Sequence, residues 1–153
     1  MGTHTSSRLV VAGLTLLLAG CWPFGASGQR DALDSARSTW ESRGFSSYEF
    51  RVQRICFCAP PATAPLLVRV QDGRPVSVTN ADTGAPVSPD TGMPLTVDAL
   101  FTVLDDAIDR DAARIDVQYD EALGYPLSMY IDYDERIADE EVTYQASGLR
   151  ALR

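Results

Sequence analysis

Apolar and polar positions alternate along this chain with two periods, and the changes of period divide it into elements. Leu33, Ala36 and Trp40 share a face at helical spacing and predict a helix over residues 31–43, with Gly44 just past its end where a left-handed cap is wanted. Residues 46–58 alternate as a strand, with Tyr48, Phe50 and Val52 on one side and Glu49, Arg51 and Gln53 on the other. Ile55 and Phe57 fall on the opposite parity, so either a bulge near Gln53 and Arg54 re-aims the chain or the strand end is covered on both faces. Residues 66–71 and 75–79 flank Asp72-Gly73, a tight-turn pair, and Pro75 has no N–H to donate, so that end of the strand should be unpaired or an edge.

A loop over residues 80–95, rich in Gly, Pro, Thr and Asp, precedes the clearest helix. There Thr96 is a natural cap, and Val97, Leu100, Phe101, Leu104 and Ile108 form an apolar stripe opposite Asp105, Asp106 and Asp109. Ile115, Val117 and Tyr119 then alternate, as do Leu127, Met129, Ile131 and Tyr133, and finally Val142 and Tyr144. The order αβββαβββ, with short connections, predicts an α+β domain. Two amphipathic helices should pack on one face of a mostly antiparallel, meandering sheet.

The N-terminal pattern is different in kind. Residues 9–19 are continuously apolar after Arg8 and lead to Gly20 and Cys21. A charged start, an apolar run and small exit residues are the features of a secretory signal. Eleven helical residues span about 16 Å against roughly 30 Å of hydrocarbon, too little for a permanent membrane span. Leu18-Ala19-Gly20-Cys21 resembles the lipobox of bacterial lipoproteins. The resemblance implies a signal peptide over 1–20, acyl chains on the Cys21 sulfur and a tether through residue 29, followed by one domain over 30–153. It further implies an exported protein held at a bacterial membrane, on its periplasmic or outer face, by acyl chains on Cys21. By resemblance to the sorting rule of enteric bacterial lipoproteins, Trp22 in place of aspartate favours the outer membrane.

Composition narrows the chemistry. The chain has 13 basic and 21 acidic side chains, no lysine, and a single histidine, His4. Loss of residues 1–20 removes Arg8 and His4 and leaves 21 acids against 12 arginines. Such a surface repels phosphate backbones, so no nucleic-acid partner is expected. Without histidine or lysine, the mature chain lacks Ser-His-Asp, imidazole-metal and Schiff-base machinery, and neither a cofactor nor an enzymatic activity is expected. Carboxylate-pair hydrolysis and calcium coordination remain chemically available.

Three groups of residues could carry function. Cys56 and Cys58 lie two apart, where an extended strand separates Cα atoms by about 6.5–7 Å, so a disulfide needs local bending. A structural disulfide, reduced thiols, redox exchange and soft-metal binding are the open readings of this pair. Asp120, Asp132, Asp134, Asp139 and Glu140 are candidates for a cation or ligand surface, although no EF-hand loop is present. Their alternative role is to charge strand edges and turns against aggregation. Tyr125 joins the candidates as an aromatic available for stacking.

Tyr48-x-Phe50, Cys56-x-Cys58, Val68-x-Val70-x-Asp72-Gly73, Thr96-Val97-Asp98-x-Leu100-Phe101, Tyr119-Asp120, Gly124-Tyr125-Pro126 and Ile131-Asp132 occur in this order, ending at Asp139-Glu140-Glu141. Together they resemble the bacterial domain of unknown function numbered 6174, common among predicted lipoproteins, over about residues 30–150. The resemblance implies a single envelope-exposed domain and carries no catalytic residue with it. The expected function is a lipid-anchored, non-catalytic domain that binds an envelope protein or small ligand; the alternative is a thiol-redox or metal-handling lipoprotein using Cys56 and Cys58.

Overall fold

Six antiparallel strands and two helices make up the structure, a computed structural model that describes residues 26–152. The lipobox, Cys21 and the predicted signal lie outside the described residues. In chain order the elements are α1 (Ala26–Ser42), β1 (Tyr48–Cys56), β2 (Leu66–Gln71), β3 (Arg74–Asn80), α2 (Val97–Asp109), β4 (Arg114–Tyr119), β5 (Pro126–Asp132) and β6 (Val142–Ala151).

The sheet is not one meander. Its spatial order is β3-β2-β1-β6-β5-β4, so two three-stranded meanders are joined through their β1 and β6 strands. The first and last strands of the domain thus form the centre of the sheet. Pro75 lies in β3, an edge strand, where a missing donor is tolerated.

Alternation sends Tyr48, Phe50, Val52, Leu66, Val68, Val70, Met129 and Ile131 into the core with Leu33, Trp40, Leu100, Phe101 and Leu104 of the helices. Burial of each large apolar side chain contributes roughly 1.5–3 kcal/mol. Tyr48 meets both helices. Its ring stands edge-on to Trp40 at 5.2 Å, and its hydroxyl accepts a hydrogen bond from the Val97 N–H at 2.9 Å. The Thr96 hydroxyl accepts from the Ala99 N–H at 3.0 Å, as a helix cap should.

Three features depart from the pattern in the sequence. First, α1 starts at Ala26, so residues 26–29 are helical rather than tether. Tertiary partners dock this first turn: the Gln29 amide donates to the Ile115 carbonyl at 3.1 Å, and Arg30 pairs with Asp105 at 2.8 Å. Second, the bulge is not at Gln53 and Arg54. Register shifts between Glu49 and Arg51, where the extra residue is on β6 beside Gly148 (φ 63°). Ile55 is therefore 44 % exposed on the side away from the core instead of being covered on both sides. Third, β6 runs on to Ala151. Glycine adopts the left-handed conformation without a Cβ penalty, and the bulge puts Ala146 and Leu149 against the core at a spacing of three. That break in alternation hides the second half of the strand from a period-two reading.

Candidate functional site

Three regular elements enclose an apolar cleft of about 350 Å³. Gly28, Gln29 and Ala32 of α1 form one wall, Leu104 and Ile108 of α2 a second, and Ile115, Val117 and Tyr119 of β4 the third. The space exists because α1 presents glycine and alanine where it passes the edge strand. Asp116 at the rim is paired with Arg114 at 2.6 Å, and Gln29 is engaged by the Ile115 carbonyl. Burial pushes the Tyr119 phenol up to about 12, so it is a neutral donor at any physiological pH. The cleft has the size and lining to hold a small, mostly apolar group. Asp116 is the one carboxylate among its described lining residues, so paired-acid hydrolysis has no second acid there.

A second cleft, of about 390 Å³, lies between the loops that follow β1 and β3. Pro61, Ala62, Leu66, Val87 and Met93 supply its apolar lining, with Asn80 and Asp90 among its polar groups. The Asn80 side-chain oxygen accepts from the Asp82 and Thr83 N–H groups, both at 2.9 Å, which closes the turn beside it.

The two sulfurs of Cys56 and Cys58 are at disulfide distance, 2.02 Å, with Cα atoms 5.2 Å apart. The bending this needs occurs where β1 ends: the Cys58 N–H donates to the Cys56 carbonyl at 2.8 Å. Phe57 is thrown outward at the tip and is 81 % exposed.

The acidic candidates do not converge. Among the described residues, no group of three metal-ligating side chains is placed to hold an ion. Asp120 accepts from the N–H groups of Ala122 and Leu123, at 3.0 and 2.7 Å, so its carboxylate shapes the turn after β4. Asp134 is held below the ordinary carboxylate range by Arg136, which donates to it from side chain and backbone. Glu140 accepts from the Asp134 N–H across the same loop. Asp139 is exposed in a left-handed conformation (φ 68°). Asp132 receives the Tyr130 hydroxyl at 3.4 Å, while its other oxygen is buried without a partner.

Tyr125 is not available for stacking: it is 4 % exposed and belongs to the core. The turn before it brings Gly124 against α1 and draws the ring inward. Burial, with the nearby charge of Asp120, raises its phenol above the usual value. Tyr130 stays partly open, with the Arg114 guanidinium 5.2 Å from its ring centre.

The pattern in the sequence missed the α1/α2/β4 cleft. Gly28 read as tether, and Ile115, Val117 and Tyr119 read as ordinary core positions. The available signal was the pair of small residues Gly28 and Ala32, four apart, in front of an edge strand.

A family model described as a family of unknown function (DUF6174) matches residues 32–151. No curated protein matches the chain.

Proposed function

The chain belongs to this family of unknown function, and from that premise we propose that it is a lipid-anchored bacterial envelope lipoprotein whose domain binds a ligand or partner without catalysing a reaction. Leu18-Ala19-Gly20-Cys21 supports the anchor, because a cysteine after small residues at the end of an apolar run is what thioether acylation needs. The observation that carries the binding role is the cleft between α1, α2 and β4. Its lining is mostly apolar, Asp116 and Gln29 at its polar rim are engaged, and the neutral Tyr119 is among its lining residues. Both helices act in this reading as a common cover for one sheet face, and the cleft is the gap they leave at the β4 edge. The acidic surface opposes nucleic acid as a partner.

Two substitutions test the two halves of the proposal. Cys21→Ser should leave a precursor that is neither cleaved nor labelled by a fatty-acid probe; label on that variant ends the anchor reading. Ala32→Phe should fill the cleft and remove any small molecule that co-purifies with the native protein in native mass spectrometry. Unchanged retention of that molecule excludes the cleft as its site.

A second reading, thiol exchange at Cys56 and Cys58, is favoured by the exposure of Cys58 two residues past the end of β1. The metal-handling form of it would need the pair reduced. Alkylation under mild reductant decides it: a pair that never becomes alkylatable takes no part in exchange.

A further inference from the structure

Backbone register sets one row of residues across four strands. Ile115 of β4 pairs with Ile131 of β5, Ile131 with Val142 of β6, and Val142 with Cys56 of β1. Three inter-strand steps span about 14 Å. At one end of this row Gln29, in the first turns of α1, is bonded to the Ile115 carbonyl. At the other end is the Cys56–Cys58 loop with Phe57 at its tip. Between them, the turn from β5 to β6 carries Ile137. The start of α1, the disulfide loop and the Ile137 turn therefore occupy the same end of the sheet.

Exposed apolar side chains concentrate at this end. The large ones among the described residues are Ile55 (44 %), Phe57 (81 %), Ile137 (54 %) and Val76 (55 %). The first three belong to the end just described, and Val76 sits near the β2–β3 turn at the opposite one. Single exposed apolar residues are ordinary, but their grouping beside the root of an anchor is not. Five residue steps separate Ala26 from Cys21, a reach of at most about 18 Å.

We propose that this end is a membrane-docking surface: Phe57, supported by Ile55 and Ile137, enters the interfacial region of the same bilayer that holds the acyl chains of Cys21. The inference rests on the anchor reading above. Charge selects the lipid. Asp134, Glu135, Asp139 and Glu140 flank Ile137, against the single arginine Arg136 in that turn. Acidic groups at the contact are repelled by an anionic leaflet, so the occupant is a zwitterionic headgroup surface. The disulfide gives Phe57 a short, closed loop, so little chain has to be ordered on insertion.

The test uses the native lipidated protein in phosphatidylcholine vesicles containing brominated acyl chains, with Trp22→Phe as background to remove the fluorophore next to the anchor. Phe57→Trp, Ile137→Trp and Val76→Trp are compared, all at exposed positions where the fold should tolerate the change. Quenching should be about threefold or more stronger at positions 57 and 137 than at 76, because interfacial apolar groups lie about 5–10 Å into the headgroup boundary. Anionic lipid should reduce that difference. If the protein floats with the vesicles but positions 57 and 137 are quenched no more than 76, the docking surface is refuted while the anchor stands; the same result is expected if these residues serve a protein partner. If the protein carries no lipid and does not float, the anchor reading fails and the docking surface fails with it.

Discussion

Glu49 shows how one polar residue is made to fit a sheet. It is 7 % exposed on the side of β1 away from the core, and two arginines from adjacent strands close on it. Arg150 donates to one carboxylate oxygen at 2.5 Å and Arg69 to the other at 3.2 Å. The Arg150 hydrogen bond is the main cause that holds the carboxyl below its usual 4.5; burial opposes it and Arg69 adds to it. The two arginines face solvent over half of their surface, which screens the pairing and places its worth at the low end of a charged hydrogen bond. A folded-state value below the unfolded one means that this stability is present above 4.5 and is lost as pH falls through the depressed value. Glu49→Gln should therefore cost about 1.5 kcal/mol near neutral pH. The gap between variant and native protein should close in acid, as read by urea unfolding across a pH series. A gap that is constant with pH would mean that packing, and not charge, is what Glu49 supplies.

Among the elements, α1 and the turn before β5 approach closely at Gly124. Gly124 has φ 81°, and a Cβ built on it would stand 2.3 Å from the Ala36 carbonyl oxygen and 2.9 Å from the Trp40 nitrogen. Both of those atoms are backbone, so neither can swing aside. Gly124→Ala should cost on the order of 3 kcal/mol or more, combining a disfavoured conformation with a helix pushed off the sheet. Gly73 has φ 74° with open space around it, so Gly73→Ala carries the conformational cost alone, about 1 kcal/mol. Thermal unfolding of the two variants, side by side, checks the difference. Gly124-Tyr125-Pro126 reads in the sequence as a turn. That the turn is also a helix-packing site, and that Tyr125 consequently points inward, follows from the approach of an element more than eighty residues away.

At the scale of the whole molecule, the closure of β1 on β6 makes one sheet from two meanders. Removal of residues 142–153 takes away the partner of both β1 and β5. The truncated chain should show no cooperative unfolding transition by circular dichroism, since each half would keep only part of the shared core. Charge is also divided unevenly: residues 98–141 hold 14 acidic side chains and three arginines. The acids of that segment are distributed over α2, the β4 and β5 strands and their turns, and several are bonded to local N–H groups or arginines, so among the described residues no three of them are placed to hold a metal ion.

The helices, the six strand positions, the Asp72-Gly73 hairpin, the Thr96 cap and the α+β class were all legible in the sequence. Each depends on a periodicity or a turn that acts within a few residues, and such patterns survive in a linear reading. The order of strands, the bulge at Gly148, the burial of Tyr125, the early start of α1 and both clefts were decided only in three dimensions. Every one of these depends on a partner distant in sequence: β6 meeting β1, Gly124 meeting Ala36, Gln29 meeting Ile115. Alternation says which side of a strand is apolar. It cannot say which strand lies alongside, because the apolar faces of all six look alike to one another until the loops and helices choose among them.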